Sequence, residues 1–193
     1  MINVVKTEIP DVVIVTPYIF HDDRGYFYES FNQNEFNERV RPVKFVQDNQ
    51  SFSTKGTLRG LHYQKGEHAQ SKLVRVVLGN VLDVAVDIRK GSPTFGKHVA
   101  VELSAENRKQ LFIPRGFAHG FLALTDEVIF QYKCDNFYNK ESEGGICYDD
   151  PDINIKWFDT GVSQLVISEK DIKHPTLKDS DYLFDYNTDY YKI

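Results

Sequence analysis

Short apolar runs dominate this chain and recur about every ten residues. They are rich in β-branched and aromatic residues, and Gly, Asn, Asp and Pro divide them. Such spacing is typical of a β-sandwich or β-barrel. The predicted strands are Val12–Thr16, Tyr26–Phe31, Lys44–Asn49, Thr57–Gln64, Lys72–Leu78, Val81–Ile88, His98–Leu103, Gln110–Ile113, Phe121–Leu124 and Val128–Cys134.

The strand Val81–Ile88 shows how the two faces of the predicted sheet differ. Its apolar face holds Leu82, Val84, Val86 and Ile88. Its other face holds Asp83, Ala85 and Asp87. Because side chains alternate along a strand, one face belongs to the core and the other is polar. In a barrel the polar face is either exposed to solvent or lines an interior cavity, and the alternation fits both.

Helical patterns are few. Asn34–Val40 is predicted as a helix, with Asn34 as N-cap and two glutamates near its positive end. A second short helix is expected after Ser168. The last twenty residues, rich in Asp and Tyr, are expected to dock as a tail. Length and pattern together predict a single all-β domain over residues 1–193.

Cysteine content, hydropathy and net charge indicate the cellular setting of the protein and the kind of ligand it can bind. Cys134 and Cys147 form neither a disulfide framework nor a C-x-x-C pair, so we expect a reduced, cytoplasmic setting. No signal peptide or membrane span is predicted. The net charge of −5 argues against a nucleic-acid partner. It leaves room for an anionic small molecule, provided that a few Arg and Lys side chains converge in one cleft.

The segment Thr57–Gln64 carries the first candidate chemistry, in Arg59, Gly60 and His62. Taken alone, His62 is more often a hydrogen-bonded strand residue than a catalyst. Arg59 lies three residues before it and would face the opposite way in a regular strand. A bulge at Gly60 would turn both side chains toward one cavity.

The second candidate segment, Ile113–Phe121, presents His119 at the start of a strand. Its P-x-G-x-x-H pattern resembles the second half of the cupin signature. In metal-binding cupins the first half supplies H-x-H and a glutamate. Here the sequence reads His62-Tyr63-Gln64, and Lys72 offers a cation where a metal requires a carboxylate. We therefore expect no metal.

Six segments, in order, resemble the dTDP-4-dehydrorhamnose 3,5-epimerase family. They are Arg24–Ser30, Phe45–Asn49, Leu58–His62, Lys72–Arg75, Pro114–Phe121 and Gln131–Lys133. The resemblance implies an all-β fold of the cupin type, a double-stranded β-helix or jelly roll. It also implies a homodimeric, cofactor-independent isomerase of dTDP-L-rhamnose synthesis that inverts C3 and C5 of dTDP-4-dehydro-6-deoxy-D-glucose.

The resemblance also implies roles for individual residues. His62 would accept a proton, Tyr132 would donate one, and Asp171 would pair with His62. The expected ligand contacts within the subunit are Gln47, Asp48, Asn49, Arg59, Lys72, His119, Glu143 and Lys170. Arg24 and Glu29 would bind nucleotide and would come from a partner subunit. Tyr138 is a candidate for stacking on thymine, in competition with Phe137 and Tyr28.

The residue types suit that chemistry. Both C3 and C5 neighbour the C4 ketone, so losing either proton gives an enolate that needs a base, an acid and a cation. Histidine is the residue type most often used as a general base, and an aspartate on the other ring nitrogen of His62 would fix its tautomer. Lys72 is a compact charge suited to the oxyanion. Tyr132 fits a proton donor and a plain core aromatic equally well.

Alternatives remain open at this level. A single-position epimerase or a 3,4-ketoisomerase of another dTDP-4-keto sugar would share this scaffold. A non-catalytic sugar-binding cupin would lack the base or the acid, and a metal-dependent cupin enzyme ranks third. Arg24, Arg59 and Lys72 could neutralise a diphosphate, although each alone is more often a surface charge. Arg75 and Asp83 are expected to form a salt bridge, with membership of the polar interior around the site as the alternative.

Overall fold

The computed structural model describes residues 1–192. Its strands are β1 (Ile2–Lys6), β2 (Val13–Pro17), β3 (Phe20–Asp22), β4 (Gly25–Phe27), β5 (Gln47–Thr54), β6 (Thr57–Gln64), β7 (Lys72–Leu78), β8 (Asn80–Asp87), β9 (Arg89–Lys90), β10 (His98–Ser104), β11 (Gln110–Ile113), β12 (Phe117–Ala123), β13 (Glu127–Cys134), β14 (Glu143–Gly145), β15 (Val166–Ile167) and β16 (Phe184–Asp185). The α-helices are α1 (Gln33–Arg39) and α2 (Glu169–Ile172). Neither is long and apolar enough to cross a membrane, and the same holds for every helix within residues 1–192.

Two sheets face each other. The first has the order β1-β2-β11-β7-β13-β5, and the second has the order β10-β8-β12-β6-β14, with β15 added parallel to β6. From β5 to β8, and again from β10 to β14, the chain passes from one sheet to the other at each successive strand. This winding is that of a double-stranded β-helix, so the predicted fold class is confirmed.

The second sheet is covered on both of its faces. Val84 and Val86 of β8 belong to an outer cluster, where Trp157, Leu177 and Phe184 from the C-terminal region pack on the sheet. Ala85 faces the other way, into the cluster between the two sheets. Asp83 and Asp87 lie on Ala85's side of β8, and both are fully buried. The polar face of β8 is therefore interior.

Element boundaries differ from the predictions where polar residues form a strand. The apolar pair Phe45 and Val46 suggested a strand over Lys44–Asn49, whereas β5 runs through Gln47–Thr54 and pairs with β13 along its whole length. Phe45 instead packs on Phe31 and Phe36. Pairing with a neighbour, rather than the hydrophobicity of the segment, decides this strand.

Three further predictions were wrong in their bounds. The strand expected at Phe121–Leu124 begins four residues earlier, as β12 (Phe117–Ala123). The strand expected at Tyr26–Phe31 ends at Phe27, and β1 was not predicted. Helix α1 begins one residue earlier than expected, because the side chain of Asn32, not Asn34, accepts the free backbone N–H groups of Asn34 and Glu35.

The C-terminal segment docks as predicted, through residue 192. Phe184 is buried, and β16 pairs in parallel with β9. The short helix expected after Ser168 is confirmed as α2, with Ser168 as its N-cap. Ile193, the last residue of the predicted single domain, lies outside the described residues, and that domain assignment stays a prediction.

Candidate active site

A cavity of about 1030 Å³ opens between the two sheets. Strands β5, β7 and β13 form one wall, and β6, β12 and β14 form the other. The loops around Tyr138 and Lys170 form the rim. Eleven of the fourteen predicted site residues line it: Gln47, Asn49, Arg59, His62, Lys72, His119, Tyr132, Tyr138, Glu143, Lys170 and Asp171.

A bulge in β6 places both Arg59 and His62 in the cavity. His119 of β12 pairs with His62 and Phe121 pairs with Arg59, so two steps along β12 match three along β6. Gly60 is the extra residue of the bulge, and its φ is +131°. A Cβ at this position would lie 2.5 Å from the Cα of Gly120. Only glycine fits this close approach. The predicted bulge is confirmed.

Asp171 of α2 approaches His62 from the side of the bulge. His62 Nε2 lies 2.8 Å from Asp171 Oδ1, and the backbone N–H of Gly60 donates to Asp171 Oδ2 at 3.3 Å. Burial raises the pKa of Asp171, but these hydrogen bonds outweigh burial and hold the pKa below its usual value. The carboxylate is therefore ionised at neutral pH, and the expected contact between Asp171 and His62 is present.

A second histidine–aspartate pair lies beside the first. His119 Nε2 lies 2.9 Å from Asp83 Oδ2, and neither side chain is appreciably exposed. Burial lowers the pKa of His119, and the nearby charge of Lys72 adds to this, although Asp83 acts in the opposite direction. His119 is thus held neutral. The salt bridge predicted between Arg75 and Asp83 is wrong, because Arg75 donates to Gln131 and Tyr28 instead.

Lys72 and Tyr132 lie on the wall opposite His62, with the Lys72 ammonium 5.8 Å from the centre of the Tyr132 ring. Burial lowers the pKa of Lys72, while the neighbouring Cys134 and Asp83 favour its charged form. Burial raises the pKa of Tyr132 to about 12. At neutral pH the phenol therefore holds its proton.

The rim of the cavity combines charge with exposed aromatic rings. Lys170 forms an ion pair with Glu143. Burial raises the pKa of Glu143, but that ion pair and a hydrogen bond from Tyr138 outweigh it and lower the pKa. Phe137 and Tyr138 both line the cavity and are more than half exposed. Large open aromatic faces at a cavity mouth suit the stacking of a flat ring.

Three predicted ligand contacts are not brought to the cavity. Asp48 alternates with Gln47 and Asn49 along β5, faces away and pairs with Lys133 at 2.9 Å. Arg24 lies on the exposed β3–β4 hairpin and pairs with Asp22. Glu29 accepts a hydrogen bond from Asn32. None of these three residues lines the cavity.

His174 is a neighbour of the site that the sequence analysis missed. Its Nε2 is buried, lies 3.8 Å from Asp171 Oδ1 and has no hydrogen-bond partner among residues 1–192. The ligand atoms of His62, Asp171 and His174 lie within 4.8 Å of one another, a donor set that transition metals accept. A metal there would replace the hydrogen bond between His62 and Asp171. The one sequence feature that could have pointed to His174 is its position three residues after Asp171, at the start of the short helix α2.

Comparisons with known proteins show which family this chain resembles. Residues 6–179 match the family model described as dTDP-4-dehydrorhamnose 3,5-epimerase. A Shigella flexneri protein named dTDP-4-dehydrorhamnose 3,5-epimerase is 60% identical over 181 residues, which is 93% of this chain and 98% of the relative.

Two solved structures are similar as well. One is the Legionella pneumophila dTDP-6-deoxy-D-glucose-3,5-epimerase in complex with dTDP-4-keto-L-rhamnose, with a TM-score of 0.93, 46% identity, and coverage of 97% of this chain and 100% of that one. The other is the 3'-monoepimerase ChmJ of Streptomyces bikiniensis in complex with dTDP-quinovose, with a TM-score of 0.83, 34% identity, and coverage of 90% and 87%. With its family model matched over most of its length, the chain belongs to the dTDP-4-dehydrorhamnose 3,5-epimerase family.

Proposed function

We propose that this protein is an isomerase that converts dTDP-4-dehydro-6-deoxy-D-glucose to dTDP-4-dehydro-L-rhamnose by inverting C3 and C5, without a cofactor. One observation supports this most: a histidine paired with a carboxylate lines one wall of the cavity, and a protonated phenol lines the opposite wall. Inversion at a carbon requires a base on one face and an acid on the other.

His62 is proposed as the base. Because Nε2 faces Asp171, Nδ1 is the ring nitrogen left to take a proton from the sugar. The ionised Asp171 fixes this tautomer and stabilises the imidazolium that forms. Its own position is set by Ser168, which caps α2, and by the Gly60 backbone N–H.

Tyr132 is proposed as the acid. After His62 takes the proton from C3 or C5, the electron pair moves to the C4 oxygen and gives an enolate. Tyr132 then transfers its hydroxyl proton to the same carbon from the opposite face, and the ketone re-forms. Solvent afterwards returns a proton to Tyr132 and removes one from His62, so the overall reaction consumes nothing.

Lys72 is proposed to stabilise the enolate oxygen. Burial lowers the pKa of its ammonium group, while Cys134 and Asp83 act in the opposite direction, and an anion that forms beside it would further favour its charged form. Because the neutral His119 is held by Asp83 through Nε2, its Nδ1 is an acceptor and is proposed to take a hydrogen bond from a hydroxyl of the sugar. The remaining cavity residues Gln47, Asn49, Arg59, Glu143 and Lys170 are proposed to bind the rest of the substrate, with Tyr138 or Phe137 stacking on thymine.

A homodimer in the cytoplasm completes the proposal. Arg24 and Glu29 lie outside the cavity of their own subunit, which is what a nucleotide contact donated to a partner requires. The β3–β4 hairpin that carries Arg24 also exposes Phe20, Tyr26 and Phe27, each by more than half. Exposed clusters of large apolar side chains mark interaction surfaces.

The decisive experiment incubates the protein with dTDP-4-dehydro-6-deoxyglucose in D2O and follows the ring protons by NMR. We expect exchange at both C3 and C5. Exchange at only one position would indicate a single-position epimerase, the activity named for ChmJ. The absence of any exchange would refute the enzymatic proposal and favour a sugar-binding protein.

A chelator tests the metal-dependent alternative, which the proximity of His62, Asp171 and His174 keeps relevant. We expect turnover after EDTA treatment to equal that of untreated protein. Loss of turnover that a divalent cation restores would show that the enzyme requires a metal, with these three side chains as the candidate ligands.

A further inference from the structure

Arg115 belongs to the Pro114–Phe121 motif, yet it does not line the cavity. Its side chain is 10% exposed and makes a salt bridge to Asp135 at 3.1 Å. Its Nη1 also donates to the backbone carbonyl of Tyr190 at 2.6 Å. This arginine of the motif therefore binds the protein's own C-terminal segment, which follows the last residue of the family match at 179.

Tyr191 completes a closed network with Arg115. Its hydroxyl accepts a hydrogen bond from the backbone N–H of Arg115 at 3.2 Å and lies 2.7 Å from Ser71 Oγ, to which it can donate. Ser71 in turn donates its backbone N–H to Asp135 at 2.6 Å. The guanidinium groups of Arg41 and Arg115 lie over the Tyr191 ring, at 3.9 and 5.0 Å from its centre.

Three members of this network, Ser71, Asp135 and Arg115, each lie next to a strand that carries a residue of the proposed site. Ser71 immediately precedes β7, which begins with Lys72. Asp135 immediately follows β13, which carries Tyr132. Arg115 lies two residues before β12, which carries His119. The ends of three strands are thus joined through a single phenol hydroxyl and one carboxylate.

We infer that Tyr191 is a positioning residue, which fixes the strand ends that hold Lys72, Tyr132 and His119 against the substrate. The expected change in turnover rests on the proposed function. The expected change in backbone mobility depends only on the hydrogen bonds of Tyr191. Small displacements of positioned groups lower turnover strongly, while binding that depends on other contacts is retained.

Tyr191→Phe in the full chain tests this inference, because it removes the hydroxyl and keeps the ring between the two arginines. We expect amide hydrogen exchange to accelerate about tenfold at Ser71, Lys72 and Arg115, with no change in β10. We expect kcat to fall about tenfold and the Kd for dTDP to stay within about twofold. Ser71→Ala combined with Tyr191→Phe should lower kcat no further than the stronger single variant.

Tyr186→Phe is the matched control, since Tyr186 lies in the same segment, is 43% exposed and bonds β9 through its backbone. It should behave as wild type. Faster exchange throughout Tyr191→Phe, β10 included, or exchange and kcat equal to wild type, would overturn the inference. If the wild-type protein turned over no dTDP-4-keto sugar, the proposed function would fail, and the exchange comparison alone would decide the role of Tyr191.

Discussion

Two histidine–aspartate pairs lie side by side in this protein, and they differ in where their carboxylates come from. Asp83 and His119 belong to neighbouring strands of one sheet, and their side chains are 0% and 7% exposed. Asp171 reaches His62 from a four-residue helix, and the His62 side chain is 39% exposed. Both carboxylates are buried, with Asp171 6% exposed, so the pairs differ mainly in the exposure of the histidine.

The difference bears on which of the two histidines is suited to act as the base. A buried pair held by a sheet cannot easily change its charge, because burial disfavours the imidazolium. A histidine open to the cavity, with an ionised carboxylate behind it, can gain and lose a proton during each turnover. Substitutions in and around the two pairs test this difference, and His62→Ala is expected to have the largest effect.

His62→Ala removes the proposed base from the open pair. We expect kcat to fall by about 10³-fold, within the range for loss of a general base. The Kd for dTDP should remain within about tenfold of wild type, because the base acts on the sugar. Single-turnover NMR and titration calorimetry measure the two quantities. His68→Ala, outside the cavity, is the control, and near-normal turnover of His62→Ala would remove His62 from its role.

Tyr132→Phe removes the proposed acid and leaves both pairs intact. We expect kcat to fall about 10²-fold. Deuterium exchange from D2O into the recovered substrate should continue, because His62 can still remove and return a proton on its own face. Comparing exchange with product formation by NMR checks this. Loss of both in equal measure would contradict a division of labour between the two walls.

Asp171→Asn and Asp83→Asn set the two pairs against each other. We expect Asp171→Asn to lower kcat about 10²-fold and to change the free energy of unfolding by less than about 1 kcal/mol. Asp83→Asn should lower kcat less than tenfold. It should lower the free energy of unfolding by about 1–3 kcal/mol, since its partner His119 is buried. Kinetics and urea titrations give both values. Equal losses of kcat would erase the distinction.

The smallest effect is on stability as a function of pH. Because burial lowers the pKa of His119, the folded protein binds this proton less readily than the unfolded chain does. The free energy of unfolding should therefore fall as pH drops below about 6.5, by about 1 kcal/mol over the first unit. Urea titrations at several pH values measure this. His119→Gln should flatten the slope, and a slope of opposite sign would contradict it.

Most of the site residues were assigned from the resemblance of six segments to a known family, whereas alternation and one bulge explain how Arg59 and His62 come to face the same cavity. Glycine between Arg59 and His62 signalled that bulge, and the structure confirms it. His174 was not predictable in this way. It enters through tertiary packing against Gly145, where a Cβ would lie 2.3 Å from its Nε2, and no periodic pattern encodes that contact.

The outward orientation of Asp48 was within reach of the same reasoning. Alternation along Gln47–Asn49 puts Asp48 on the opposite face from its neighbours, as the structure shows. The polar strand β5 was harder to predict, since no hydrophobic period marks it and its partner β13 lies far along the chain. A local sequence pattern carries no information about the energy that a strand gains by pairing with a distant strand.

The contact between His62 and Asp171 joins residues 109 positions apart in the chain. Closing so large a loop is entropically costly, and it becomes favourable only once the intervening strands have assembled. A partly folded chain could possess both sheets and still lack the contact between Asp171 and the proposed base, His62. Recovery of turnover during refolding would then report the last step of assembly, later than any optical signal from the strands.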